Sequence, residues 1–256
     1  MVARRAALAV AVCACSGKPH PDEVTPVVVA RDAAPGRAAD GAVGAPGDAG
    51  ATGDLQLRVE WPRVPVVARS SPGRTPCNTP RAPSVAPTTT WGIPDALVVV
   101  EGTAPAGPTE ARVTLADCAL TPRLVVGTTL VLTSAVDRPA RVILRKRGPL
   151  AQLVAGEPIA IALPIAGHTV TVALDAGAIY ALETDAPEPE VAFVAAIPGA
   201  AVTEATGQVT LHDLAPGAHA VTAWLPPRAG QPARTGHASA RITAGDLVEL
   251  TVPLAP

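Results

Sequence analysis

Aromatic side chains are nearly missing from this 256-residue chain, which holds one Phe, one Tyr and three Trp, or 2% in all. That scarcity removes the stacking platform on which bases bind. It argues equally against sugar stacking. Charge of either sign is also scarce: charged residues make up 16%, with 20 Lys and Arg against 22 Asp and Glu, net −2. No basic footprint for a nucleic acid partner exists. Met1 is the only methionine. A convincing helical stripe is absent, and 29 prolines exclude long helices over most of the length. Hydrolase signatures such as Gly-x-Ser-x-Gly and His-Glu-x-x-His are missing, as are phosphate- and dinucleotide-binding glycine patterns. The expectation is a protein without enzymatic activity and without a cofactor.

What fills the chain instead is small. Ala supplies about a fifth of the residues, and Gly and Pro together another fifth. Such a chain is either loop-rich or partly disordered.

The N-terminus reads as an address. Arg4 and Arg5 precede a short apolar run, Ala6 to Val12, and Ala14 then stands directly before Cys15. This is signal-peptide anatomy, too short for the roughly 20 residues that span a bilayer. Val12-Cys13-Ala14-Cys15 resembles a bacterial lipoprotein lipobox, with an aliphatic residue, a small residue and then the Cys. The resemblance implies removal of residues 1–14, acylation of Cys15, and attachment to the cell envelope. Ser16 after the Cys favours the outer membrane in that family. The alternative is an ordinary secretory signal with chance cysteines.

Cysteine arithmetic follows. Of Cys13, Cys15, Cys77 and Cys118, cleavage before Cys15 removes one and lipid occupies another. Two thiols left in an oxidising compartment are expected to pair as Cys77–Cys118, the alternative being two separate thiols. The mature chain would also hold no thioether.

Residues 15–53 are rich in Pro, Gly and Ala with no periodic apolar face, and read as a flexible, disordered tether. From Leu55 the pattern changes. Leu55, Leu57, Val59 and Trp61 alternate with polar residues, the period-2 mark of a half-buried strand. Further strand-like runs begin at Ala96, Val113, Thr129, Arg141, Val170, Ala178, Val191, Val209, Ala218, Ala238 and Leu247, with Gly and Pro between them. An all-β sandwich architecture is predicted. Residues 62–94 form a proline-rich loop, long enough that Cys77 should tie it down. The uncharged run 158–174 is broken by Pro164 and Gly167 and reads as two core strands. Arg141, Arg145, Lys146 and Arg147 read as a solvated strand edge that resists pairing.

Two family resemblances sharpen this. Residues 96–146 carry Val98-Val99-Val100-Glu101-Gly102, Asp117-Cys118 followed by Pro122, and Val126-Gly127-Thr128-Thr129-Leu130. This order resembles the plastocyanin-like cupredoxins, in particular a methylamine-utilisation-like periplasmic subgroup. The resemblance implies a Greek-key sandwich over 54–188. The family's copper-ligand positions fall here on Ala140, Thr184, Pro187 and Glu190. Type 1 copper needs a thiolate, two imidazoles and usually a thioether, so no metal is expected there. Residues 189–256, with Thr203, Gly207, Leu211, Asp213-Leu214-Ala215-Pro216-Gly217, Val221 and Trp224, resemble a carboxypeptidase regulatory-like, or prealbumin-like, sandwich. That domain is a non-catalytic adaptor in its family. His212 and His219 flank one turn and could meet as a weak metal site, although a core role for His219 is favoured.

The expectation is therefore an outer-membrane lipoprotein with two β-sandwiches. It would attach to the membrane through its lipid, and its envelope protein or polymer partner is not identified. The alternative is a periplasmic copper-binding or electron-transfer protein with an atypical ligand set.

Overall fold

A computed structural model describes residues 51–62, 64, 73, 74, 77, 80, 92–102, 108–148, 156–186, 191–228 and 231–255. All lie within the unit Ala38–Pro256. The signal and most of the tether lie outside the described residues, as does most of the 62–94 loop. The described residues are all-β, with no helix long and apolar enough to cross a membrane.

Sixteen strands are present among the described residues: β1 (Gly53–Glu60), β2 (Leu97–Val100), β3 (Glu110–Ala116), β4 (Ala119–Thr121), β5 (Leu124–Val126), β6 (Thr129–Ser134), β7 (Ala140–Arg147) and β8 (Ile159–Leu163), then β9 (Thr169–Ala173), β10 (Ala178–Thr184), β11 (Ala192–Ala196), β12 (Ala201–Val202), β13 (Gln208–Leu214), β14 (Gly217–Leu225), β15 (Arg234–Ile242) and β16 (Leu247–Pro253). They form four sheets, ordered β13-β1-β16, β12-β2-β14-β15, β5-β11-β10-β7-β8 and β4-β3-β6-β9.

The sheets stack in that order around three apolar layers. Leu55, Leu57 and Val59 of β1 meet Val98, Val221 and Ala223 in the first layer. Leu97 and Trp224 face the other way, against Ile179, Ala181 and Phe193 in the second. Leu182 and Val194 turn toward Leu130 and Leu132 in the third. The two inner sheets are thus covered on both faces. This explains why Leu97–Val100, Ala178–Thr184 and Ala192–Ala196 read as near-continuous apolar runs, whereas β1 and β3 alternate strictly. Alanine on both faces of β10 and β11 keeps these inner sheets thin.

The pairing redraws the expected division at 188/189. β1 hydrogen-bonds to β13 and, in parallel, to β16, while β2 joins β12 and β14. Both strands therefore belong with the C-terminal sandwich and not with a sandwich over 54–188. β11, placed by sequence in the C-terminal domain, pairs with β10 and β5 instead. The unit β3–β11 is inserted between β2 and β12. The physical reason is that a strand's apolar face specifies burial but not which backbone completes its ladder.

Two smaller expectations also change. β7 is no edge, because β10 and β8 flank it on both sides. β8 and β9 are indeed two strands in the uncharged 158–174 run; each is a sheet edge among the described residues, with Ile161 and Leu163 of β8 buried in the third layer, Val170 and Val172 of β9 packed against it, and the opposite faces exposed.

Candidate functional site

The sandwich built from β3–β11 has a cleft at one end, with a volume of about 280 Å³. Three chain segments build it. The first is the two-residue turn between β3 and β4, where Leu115 pairs with Leu120 and Ala116 with Ala119. Asp117 takes a left-handed φ of 53° there, a conformation that Asp adopts more readily than most residues. Cys118 follows it and is buried.

The second segment is the β6–β7 connection. Ser134 Oγ accepts from Val136 N at 3.3 Å, a local turn that competes with continued strand. Arg138 then reaches across, its Nη2 donating to the Asp117 carbonyl at 3.3 Å. Ala140 starts β7 below it. The third segment is the end of β10, where Thr184 is buried and Asp185 N donates to the Arg141 carbonyl at 3.3 Å.

Cys77, from the proline-rich loop, closes the cleft by its disulfide to Cys118, with Cα atoms 5.9 Å apart. That separation lies within the range a disulfide requires. The expected pairing is therefore present.

Of the four expected ligand positions, Ala140 and Thr184 line this one cleft, although they lie 44 residues apart in the chain. Pro187 and Glu190 lie outside the described residues, as does Cys15. Neither a methyl nor a secondary hydroxyl supplies a copper ligand, and a cystine sulfur is no thiolate, so the residues present do not fit type 1 copper. Among the described residues no group of three or more His, Cys, Asp or Glu gathers for a metal.

His212 and His219 do not meet. His212 Nδ1 lies 2.9 Å from Asp54 Oδ2 on β1, and this hydrogen bond is the largest influence holding the Asp54 carboxyl below its ordinary value. His219 is buried, its ring nitrogens facing the carbonyls of Glu101 and Ala215 at 3.1 and 2.7 Å. Both nitrogens are occupied by backbone, as suits a core histidine. The basic cluster of β7 is also largely engaged. Arg145 and Arg147 lie 3.2 and 3.7 Å from Glu183, and Lys146 lies 2.8 Å from Asp175.

Reading the sequence missed Arg138, Asp117 and Asp185 as cleft residues. Adjacency was a signal for all three: Asp117 precedes Cys118, Asp185 follows Thr184, and Arg138 precedes Ala140 by two. No protein-family model, curated protein or solved structure matches the chain.

Proposed function

We propose that the chain is a lipid-anchored extracytoplasmic β-sandwich protein that acts by binding, or structurally, at the cell envelope, without catalysis. The observation that carries this reading is the Cys77–Cys118 disulfide. Such bonds persist in oxidising compartments, where a signal segment delivers its chain. The lipobox-like Val12-Cys13-Ala14-Cys15 then supplies the anchor. Two or three acyl chains hold a protein stably at a membrane where one does not.

The cupredoxin-like reading of the inserted sandwich draws support from Ala140 and Thr184 lining one cleft beside Cys118. On that reading the site has lost its copper ligands and kept its cavity. The prealbumin-like reading of the other sandwich draws support from the β13–β14 turn, with left-handed backbone at Asp213 and a positive φ at Gly217.

Labelled palmitate fed to cells making the full chain tests the anchor. The protein is expected to take up label, and Cys15→Ser to abolish it. An unlabelled protein, or label that survives Cys15→Ser, overturns the proposal.

A further inference from the structure

Three Ser and Thr side chains are buried among the described residues: Ser134, Thr184 and Thr203. Thr203 Oγ1 donates to the Ile93 carbonyl at 2.7 Å and accepts from Ala96 N at 2.9 Å. Ser134 Oγ holds its own turn. Thr184 Oγ1 alone has no hydrogen-bond partner, and its residue is 7% exposed. A buried hydroxyl left unmade is costly, and native proteins rarely keep one without a use. Its residue lines the cleft beside the disulfide.

The rest of the lining carries charge of both signs. Arg138 donates to a neutral carbonyl, that of Asp117, so no ion pair among the described residues cancels its charge. A guanidinium has five N–H donors, which leaves others for a ligand. Asp117 and Asp185 line the same cleft, and their carboxylates are likewise outside any ion pair among the described residues. Asp117 and Arg138 lie on turns that touch each other, while Asp185 directly follows Thr184 at the end of β10. Leu115 and Ala140 add apolar lining. A lone anion would share the cleft with two acidic residues, and a lone cation would share it with Arg138. A small molecule carrying both charges satisfies each.

We propose that this cleft binds a free amino acid as its zwitterion. The ligand carboxylate is received by the Arg138 guanidinium and the Thr184 hydroxyl, and its ammonium by the Asp185 and Asp117 carboxylates. A small apolar side chain lies over Leu115 and Ala140. The volume of about 280 Å³ falls just below the range usual for larger ligands and suits a molecule of this size. The inference deepens the binding role proposed above and is independent of the anchor. Failed palmitate labelling would overturn the anchor and leave this binding unchanged.

Titration calorimetry on the full chain in detergent tests it, with L-alanine and L-leucine as probes beside their N-acetyl and amide derivatives. At least one free amino acid is expected to bind with Kd of about 1 mM or tighter. Its N-acetyl and amide derivatives, each lacking one charge, are expected to bind at least about tenfold weaker, equivalent to one decade in Kd. Arg138→Gln should erase the difference between amino acid and amide. Thr184→Val, an isosteric loss of the hydroxyl, should weaken binding by a similar factor. The far-UV spectrum and the disulfide serve as folding controls. No binding by either free amino acid overturns the proposal, as does equal binding of the derivatives or unchanged binding by folded Arg138→Gln. Should either variant fail to fold, the comparison of probes on the unaltered chain decides.

Discussion

Cys77 and Cys118 stand 41 residues apart, and their bond ties Cys77 of the proline-rich loop to the β3–β4 turn. By loop-closure entropy a bond of this span contributes about 4 kcal/mol, and native disulfides of small secreted domains typically contribute about 2–5 kcal/mol. The double substitution of Cys77 and Cys118 by Ser is therefore expected to lower unfolding free energy by about 2–4 kcal/mol in urea. A loss under about 0.5 kcal/mol, the scale of an ordinary surface change, would mean the loop is held by other contacts. At this scale the sequence was legible where chemistry is local. Counting cysteines pointed to the bond. Arg138 was not legible, because its partner is a backbone carbonyl that only a distant turn brings near.

At the scale of elements, the turn before β13 shows how one backbone constrains another. Gly207 has φ of 77°, its N–H donates to the Glu204 carbonyl, and its carbonyl accepts from Val59 N at 2.9 Å. A Cβ here would run into the backbone of Gly92 and Ile93, the segment that returns from the proline-rich loop. Gly207→Ala is expected to cost about 1–3 kcal/mol from strained backbone alone, and more if Gly92 cannot move. Urea unfolding against Gly217→Ala, where a Cβ meets nothing within 4 Å, separates the clash from the φ requirement. Equal losses would remove the role given to close approach. Strand positions were mostly legible, because half-buried strands such as β1 print their period in the sequence. β4, β5 and β12 were not, since two or three residues carry no period. Partner choice was not legible either. The sequence of β2 announces burial on both faces, but nothing in Leu97 names Trp224 as its neighbour on the next strand.

At the scale of the whole molecule, the second apolar layer joins the inserted sandwich to its host. Phe193 and Trp224 meet there edge to face, with ring centroids 5.3 Å apart and planes at 88°. The chain's one Phe is thus spent on this junction. Because β1 and β2 precede the insertion and β12–β16 follow it, the host sandwich is split in the chain and closes only around the continuous stretch β3–β11. A single calorimetric unfolding transition is expected, and Trp224→Ala should lower stability by about 3–5 kcal/mol, the usual cost of emptying a large aromatic site. Two well-separated transitions in the unaltered protein would contradict the interlocked arrangement.

The central claim, an exported and lipid-anchored chain with an oxidised pair at its cleft, meets its most direct test in the intact mass of the protein recovered from the cell envelope. The account predicts a chain beginning at Cys15, heavier by its lipid and lighter by the two hydrogens of the Cys77–Cys118 bond. A chain that keeps residues 1–14, an unmodified Cys15, or two free thiols at Cys77 and Cys118 would contradict it.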